Sequence, residues 1–171
     1  MIHRLSTASA ERGSAPAPDH GGFDAFYRRH AQPLRQALCL ALGDVDLGTE
    51  ATDEAMARAC ARWDEVATYA NPPGWAYRVG VNWARSRQRR RRWRDLRPVP
   101  DRPEPVVPHD HDLTVALGRL TVEQRAVVVC RYLLDWSEDA TAAALAIPTG
   151  TVKSRLSRAL DQLARHLEDR R

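Results

Sequence analysis

Close to the C-terminal end, hydroxyl and cationic residues crowd into a few positions: Pro148 and Thr149 lead into Thr151, Lys153, Ser154, Arg155, Ser157 and Arg158. Lys153 is the only lysine among 26 basic residues. Short hydroxyls and long cations on the opening turns of a helix supply donors for phosphates and base edges together, which is the chemistry of duplex recognition. A second constellation lies upstream, where Tyr69, Trp75, Tyr77 and Trp83 precede Arg85, Arg87, Arg89, Arg90, Arg91, Arg92, Arg94 and Arg97, with Trp93 among them. Rings beside guanidinium groups are what unpaired bases stack on. The plainer use of Trp75 and Trp83 is as core side chains of a small bundle. A third group is acidic: Glu50, Asp53 and Glu54 would serve general acid and base chemistry if they converged on a pocket, or dock a basic protein surface if they faced outward.

Nothing else in the chain supports catalysis. It has no glycine-rich phosphate loop, nucleophile elbow or His-x-x-x-His pair, and no glycine directly precedes Lys153 as a phosphate loop requires. No catalytic residue and no cofactor is expected. His109, Asp110, His111 and Asp112 sit in a proline-rich segment that cannot hold ligand geometry, so no metal site is expected either. Cys39, Cys60 and Cys130 stand singly in apolar patterns and read as free buried thiols in a reducing compartment. No apolar run reaches the ~18 residues of a membrane span, and the first 22 residues lack a signal-peptide core. A cytoplasmic protein without membrane contact is the expectation.

These residues need elements to position them, and the periodicity predicts helices throughout. Hydrophobic residues make up 43% of the 171 and aromatics 6%, a balance suited to small helical cores. Residues 1–22 form a Ser, Ala, Pro and Gly-rich tail without a periodic face. Phe23 to Leu42 carries a helical stripe that Gly43 ends, with Pro33 as a kink or a second start. A second helix is predicted from Gly48 to Val66, and a third from Pro73 through Trp75, Val79 and Trp83 into the arginines. Composition then shifts. Residues 95–112 hold five prolines among acids and read as a flexible linker whose 18 residues could span ~55 Å and hold two modules apart. Beyond it, Thr121 and Gln124 form a capping box, Ser137 caps a helix through Leu145, and Thr149 caps the last helix. That helix would face a core with Val152, Leu156, Leu160 and Leu163. The predicted fold is all-α: a bundle over 23–94, a linker, and a helix-turn-helix bundle over 113–171.

Charge follows the same division. The net charge of +4 hides nine arginines against Asp95 between Arg78 and Arg97, next to seven acids against Arg58 and Arg62 between Asp44 and Glu65. The first segment is suited to a polyanion, the second to a different partner.

Pro148-Thr149-Gly150-Thr151-Val152-Lys153-Ser154-Arg155-Leu156 and Asn71-Pro72 with Trp75, Tyr77, Arg78 and Asn82 resemble motifs of the extracytoplasmic-function (ECF) group of bacterial RNA polymerase sigma factors, in the sigma-E-like actinobacterial type. The resemblance extends from Phe23 to Leu167. It implies a region 2 module that binds core RNA polymerase and melts the −10 element, and a region 4 module that reads the −35 element as duplex. By position, it assigns −35 contacts to Thr151, Lys153, Ser154, Ser157 and Arg158, with Arg155 on the backbone. It gives −10 contacts to Tyr69, Asn71, Trp75, Arg78, Asn82, Arg85 and Arg89, and polymerase contacts to Glu50, Asp53, Glu54 and Arg58. Asp53 and Met56 replace the glutamine and aromatic usual in the polymerase helix, and Ala146 replaces the usual turn glycine. An anti-sigma protein is a further partner that the resemblance allows. The alternative reading is a stand-alone helix-turn-helix regulator acting without polymerase; a small catalytic protein using the acidic helix stands third.

Overall fold

The computed structural model describes residues 21–94 and 111–168; most of the predicted tail and most of the predicted linker lie outside them. All described elements are helical. Helix α1 (Gly21–Leu42) runs through Pro33 and buries Leu34, Ala37, Leu38 and Ala41 on one face. Gly43 ends it at φ 68°, a left-handed conformation that costs glycine no Cβ clash.

Helix α2 (Val45–Ala61) starts earlier than Gly48 because Asp44 caps it, its Oδ1 accepting from the Leu47 amide at 2.8 Å. Gly48 lies instead where α2 crosses α1. A Cβ there would stand 2.5 Å from the Cys39 Cα, so the crossing requires glycine. The helix does not reach Val66. Arg62 leaves helical geometry at φ −128°, and a short α3 (Trp63–Val66) turns Trp63 onto Phe23 and Phe26, with centroids 5.7 and 4.9 Å away. Asn71 caps α4 (Pro72–Arg94), its Oδ1 accepting from the Gly74 amide at 2.9 Å.

Beyond the undescribed segment, α5 (His111–Gly118) begins on residues assigned to the linker, a helix that the sequence pattern did not disclose. Helix α6 (Val122–Val128) carries the full Thr121–Gln124 capping box. It continues as a π-helical turn over Val129–Leu133, after which Asp135 adopts φ 52°. Ser137 caps α7 (Glu138–Leu145), as its spacing implied, by accepting from the Ala140 amide at 3.1 Å. Helix α8 (Thr149–Glu168) follows a short turn. Thr149 does not cap it: its hydroxyl donates to Asp139 at 3.1 Å, while the Pro148 carbonyl accepts from Thr151 and Val152. Val152 and Ala159 are buried along α8, whereas Leu160 is exposed.

Two helical groups are present, yet they share a core. Leu34, Leu38, Ala51, Met56 and Tyr77 cluster with Ala126, Val129 and Cys130 of the second group. The second group adds smaller clusters, one of Leu117, Leu120, Val128 and Ala159 and another of Val127, Ala142 and Val152. The two groups therefore pack against each other, rather than standing apart as the linker's reach would permit.

Candidate nucleic-acid interface

Helices α7 and α8 form a helix-turn-helix. Its turn works without glycine: Ala146 takes φ 54° and ψ 48°, its amide donates to Ala143 and the Ile147 amide to Ala142, closing the end of α7. The turn leaves the start of α8 outward. Lys153, Ser154, Ser157 and Arg158 are exposed and Thr151 is half-buried. Among the described residues, the ties on this face are slight: Lys153 lies 3.4 Å from Glu138, and the Ser154 hydroxyl donates to the Thr151 carbonyl at 3.2 Å. Such exposed contacts contribute on the order of 0–1 kcal/mol, so a phosphate can replace them. Arg155 differs from its neighbours. It is half-buried and turned toward the first helical group.

The −10 candidates divide between two cavities. Tyr69, Asn71, Trp75 and Arg78 line one of about 290 Å³, with Ala143 and Ala144 of α7 on its far side. The Tyr69 and Trp75 rings lie 6.2 Å apart, tilted by 52°, and Arg62 lies over Trp75 at 5.9 Å from the ring centroid. Glu65 orders the rim, accepting from the Tyr69 hydroxyl and pairing with Arg62 at 2.6 Å. The Tyr69 hydrogen bond, then Arg62, hold the Glu65 carboxyl below its usual range, and the same bond raises the Tyr69 hydroxyl. Arg62 was not among the sequence-derived candidates; its three-residue spacing from Glu65, beside Tyr69, was the available signal.

Arg78, Asn82 and Arg85 line the second cavity, about 280 Å³, opposite Glu123, Ala144, Leu145 and Arg155. Arg85 approaches Glu123 at 3.7 Å. Arg89 stands apart, exposed, its guanidinium donating to Ser86. Trp83 supports the cationic stretch rather than opening to solvent: Arg87 lies 5.2 Å over its ring and pairs with Glu50 at 2.9 Å.

The acidic residues of α2 do not converge on a pocket. Glu50 pairs with Arg87, Asp53 with Arg35 at 3.6 Å and Glu54 with Arg58 at 2.7 Å. They form a banded surface of both signs, suited to a protein partner and unlike an acid–base pair. Cys39 and Cys130 are buried free thiols, and Cys60 is half-buried. Burial pushes the Cys130 thiol up to about 12 and raises the Tyr77 hydroxyl beside it. No described helix is long and apolar enough to cross a membrane.

A helix-turn-helix with an open polar face, joined to an aromatic pocket at the head of an arginine-rich helix, is the architecture of a nucleic-acid-binding protein. Comparison with known proteins sharpens this class. The sequence model of Sigma-70, region 4 matches residues 110–163. The ECF RNA polymerase sigma factor SigM of Mycobacterium tuberculosis is 35% identical over 159 residues, covering 88% of this chain and 80% of that protein. The RNA polymerase sigma-E factor of Streptomyces avermitilis is 33% identical, covering 86% of each. Among solved structures, the sigma factor RpoE of Bartonella quintana, in complex with the anti-sigma factor NepR, shares the fold with a TM-score of 0.70 at 23% identity, covering 88% of this chain and 99% of that one. The chain belongs to the ECF group of RNA polymerase sigma factors.

Proposed function

We propose that this sigma factor directs core RNA polymerase to promoters through two separate contacts, the α8 face on −35 duplex and the Tyr69–Trp75 pocket on the melted −10 strand. The observation that carries the reading is this pocket, in which two rings, an asparagine and a guanidinium surround a space of about 290 Å³ next to the arginine-rich helix. Extruding a base from a duplex costs a few kcal/mol, and ring stacking returns roughly 1–3 kcal/mol per base. Guanidinium contacts to the strand supply the remainder. On α8, Lys153 and Arg158 reach the groove, while Thr151, Ser154 and Ser157 offer short hydroxyls to phosphates and base edges.

The α2 surface of Glu50, Asp53, Glu54 and Arg58 is the polymerase-facing side in this proposal. The protein itself performs no catalysis; it supplies promoter choice to the polymerase, in the cytoplasm. The binding of an anti-sigma factor by its B. quintana relative makes an anti-sigma protein a proposed partner here as well. The deciding experiment is run-off transcription on genomic fragments with core polymerase, with and without this protein. Discrete new transcripts support the proposal, and their absence, with duplex binding retained, favours a regulator that acts without polymerase.

A further inference from the structure

Cations outnumber carboxylates in the cleft between α4 and the helix-turn-helix. It holds about 280 Å³ and is lined by three arginines, Arg78 and Arg85 from α4 and Arg155 from α8, against one acid, Glu123. Glu123 is engaged only loosely, 3.7 Å from Arg85, with both side chains close to half exposed. Arg78 and Arg155 are half-buried, and neither has a hydrogen bond or a carboxylate partner among the described residues. Other arginines of the neighbouring helices do find carboxylates, Arg62 at Glu65 and Arg87 at Glu50. A guanidinium that loses part of its hydration without gaining an acceptor raises the free energy of the folded chain, and two that share a cleft repel each other as well. Here both stand, on different elements, around an open space.

We infer that this cleft is a binding site for a compact polyphosphate, a small molecule whose linked phosphoryl groups bridge α4 and α8. The guanidinium fork matches phosphoryl oxygens in pairs, so three arginines receive a chain of phosphoryl groups better than a single anion. The Asn82 amide, exposed at the rim, adds donors without adding charge. Size points the same way: small-molecule pockets begin at roughly 300 Å³, and Leu145 and Ile147 wall this cleft on the side of the turn. An extended strand has to run through such a space, whereas a compact polyphosphate has only to fill it. On entry the anion replaces Glu123 at Arg85, and giving up a long, solvated pair costs little. Arg78 and Arg85 are also the arginines proposed for the −10 strand, so on that reading a bound polyphosphate competes with the strand.

The test is isothermal titration calorimetry on the full-length protein at fixed ionic strength, without DNA, polymerase or divalent cations. The probes are inorganic triphosphate, adenosine triphosphate and citrate. Triphosphate should saturate one site per chain and bind at least tenfold more tightly than citrate, a compact polyanion without phosphoryl groups. Arg78→Gln and Arg155→Gln should each weaken triphosphate binding by about tenfold or more, the usual loss for a hydrogen-bonding partner that carries charge. Arg119→Gln removes the same charge from an exposed position outside the cleft and should change the affinity by less than about twofold. Melting curves give a second readout. Arg78 and Arg155 lack partners, so the free variants should melt no lower than the unsubstituted protein, and triphosphate should raise its melting temperature more than theirs. If one of the two fails to fold, the other carries the test. Adenosine triphosphate separates the sources of the ligand: affinity equal to that of triphosphate identifies the tail of a nucleotide, weaker affinity a free polyphosphate, and both support the site. Citrate binding as tightly as triphosphate, an equal loss in all three variants, or no saturable binding by either readout would overturn the inference. None of these measurements involves promoter DNA, so the site and the sigma-factor reading can fail separately.

Discussion

The polar face of α8 and the side of α4 proposed to meet a strand carry similar residues in different settings. On α8, Lys153, Ser154, Ser157 and Arg158 stand exposed, and the ion pair to Glu138 is long and solvated. On α4, Arg78, Asn82 and Arg85 line a partly open cleft with a carboxylate opposite, Asn82 and Arg85 themselves remaining exposed, and Trp75 is flanked by Tyr69 and Arg62. A duplex presents regular phosphates at a fixed pitch, so an open helix face suffices to meet it. An unpaired base must be enclosed before its flat surface is worth the cost of extrusion, and enclosure takes several elements. In the proposed function, the difference between the two surfaces matches the difference between the two forms of DNA.

The largest expected effect lies outside both readers and tests whether they act on polymerase at all. Replacing Asp53 and Glu54 by lysine breaks the pairs to Arg35 and Arg58, which are exposed and contribute little to folding. At an interface the same reversal sets like charges against each other, a cost of several kcal/mol. Retention on immobilised core polymerase should fall by well over tenfold while circular dichroism holds. Undiminished retention would make the α2 surface structural and leave two DNA readers without an engine.

Trp75→Ala separates the readers. Losing the ring should cost about 3 kcal/mol in strand capture, the upper end for one stacked base, because Tyr69 and Arg62 lose their partner as well. Permanganate reactivity of the −10 region in polymerase complexes should drop by about a hundredfold at equilibrium, whereas binding to −35 duplex should be unchanged. A parallel loss on duplex would show that the pocket supports the fold rather than the strand.

Arg158→Ala is the converse and smaller. The side chain is exposed, so water competes with the base, and a loss of about 2 kcal/mol is expected if Arg158 contacts a base in two places. Initiation should fall at promoters with an intact −35 element and hold where that element is scrambled. An equal loss on all DNA would reassign Arg158 to phosphate contact.

How these surfaces were legible in the sequence differs between them. The α8 face could be read directly, since one helix with 3.6-residue spacing carries every residue concerned and the Ser137 cap marks its partner. The pocket could be read only in part. Tyr69, Asn71 and Trp75 are close in sequence, but Ala143 and Ala144 reach them through tertiary packing that no local pattern encodes. Asn71 also serves as a helix cap, a role that fixes α4 and thereby aims Trp75. Leu160 misled for a related reason: it matches the apolar period, yet Ala159 and Val152 take the buried side and leave it in solvent. The shared core was the least legible. Trp136 follows a π-helical turn and a left-handed Asp135, both departures from the regular spacing on which periodicity depends.

The smallest effect concerns the turn between α7 and α8, and it tests whether the duplex reader gains from rigidity that the strand reader already has. Ala146 occupies φ 54°, where a Cβ costs an L-residue about 1–2 kcal/mol. Glycine removes that cost but gives the unfolded chain more freedom, a penalty of roughly 0.5–1 kcal/mol. Ala146→Gly should therefore stabilise the protein by under about 1 kcal/mol, raising the melting temperature by a few degrees at this chain length. The Ala143 and Ala142 carbonyls already accept from the turn amides, so no hydrogen bond changes and the gain is conformational. Affinity for −35 duplex should stay within twofold, because the alanine already holds α8 in position. A marked rise in duplex affinity would mean that the turn samples other conformations in solution, and that α8, open as it stands here, is held less firmly than the pocket it accompanies.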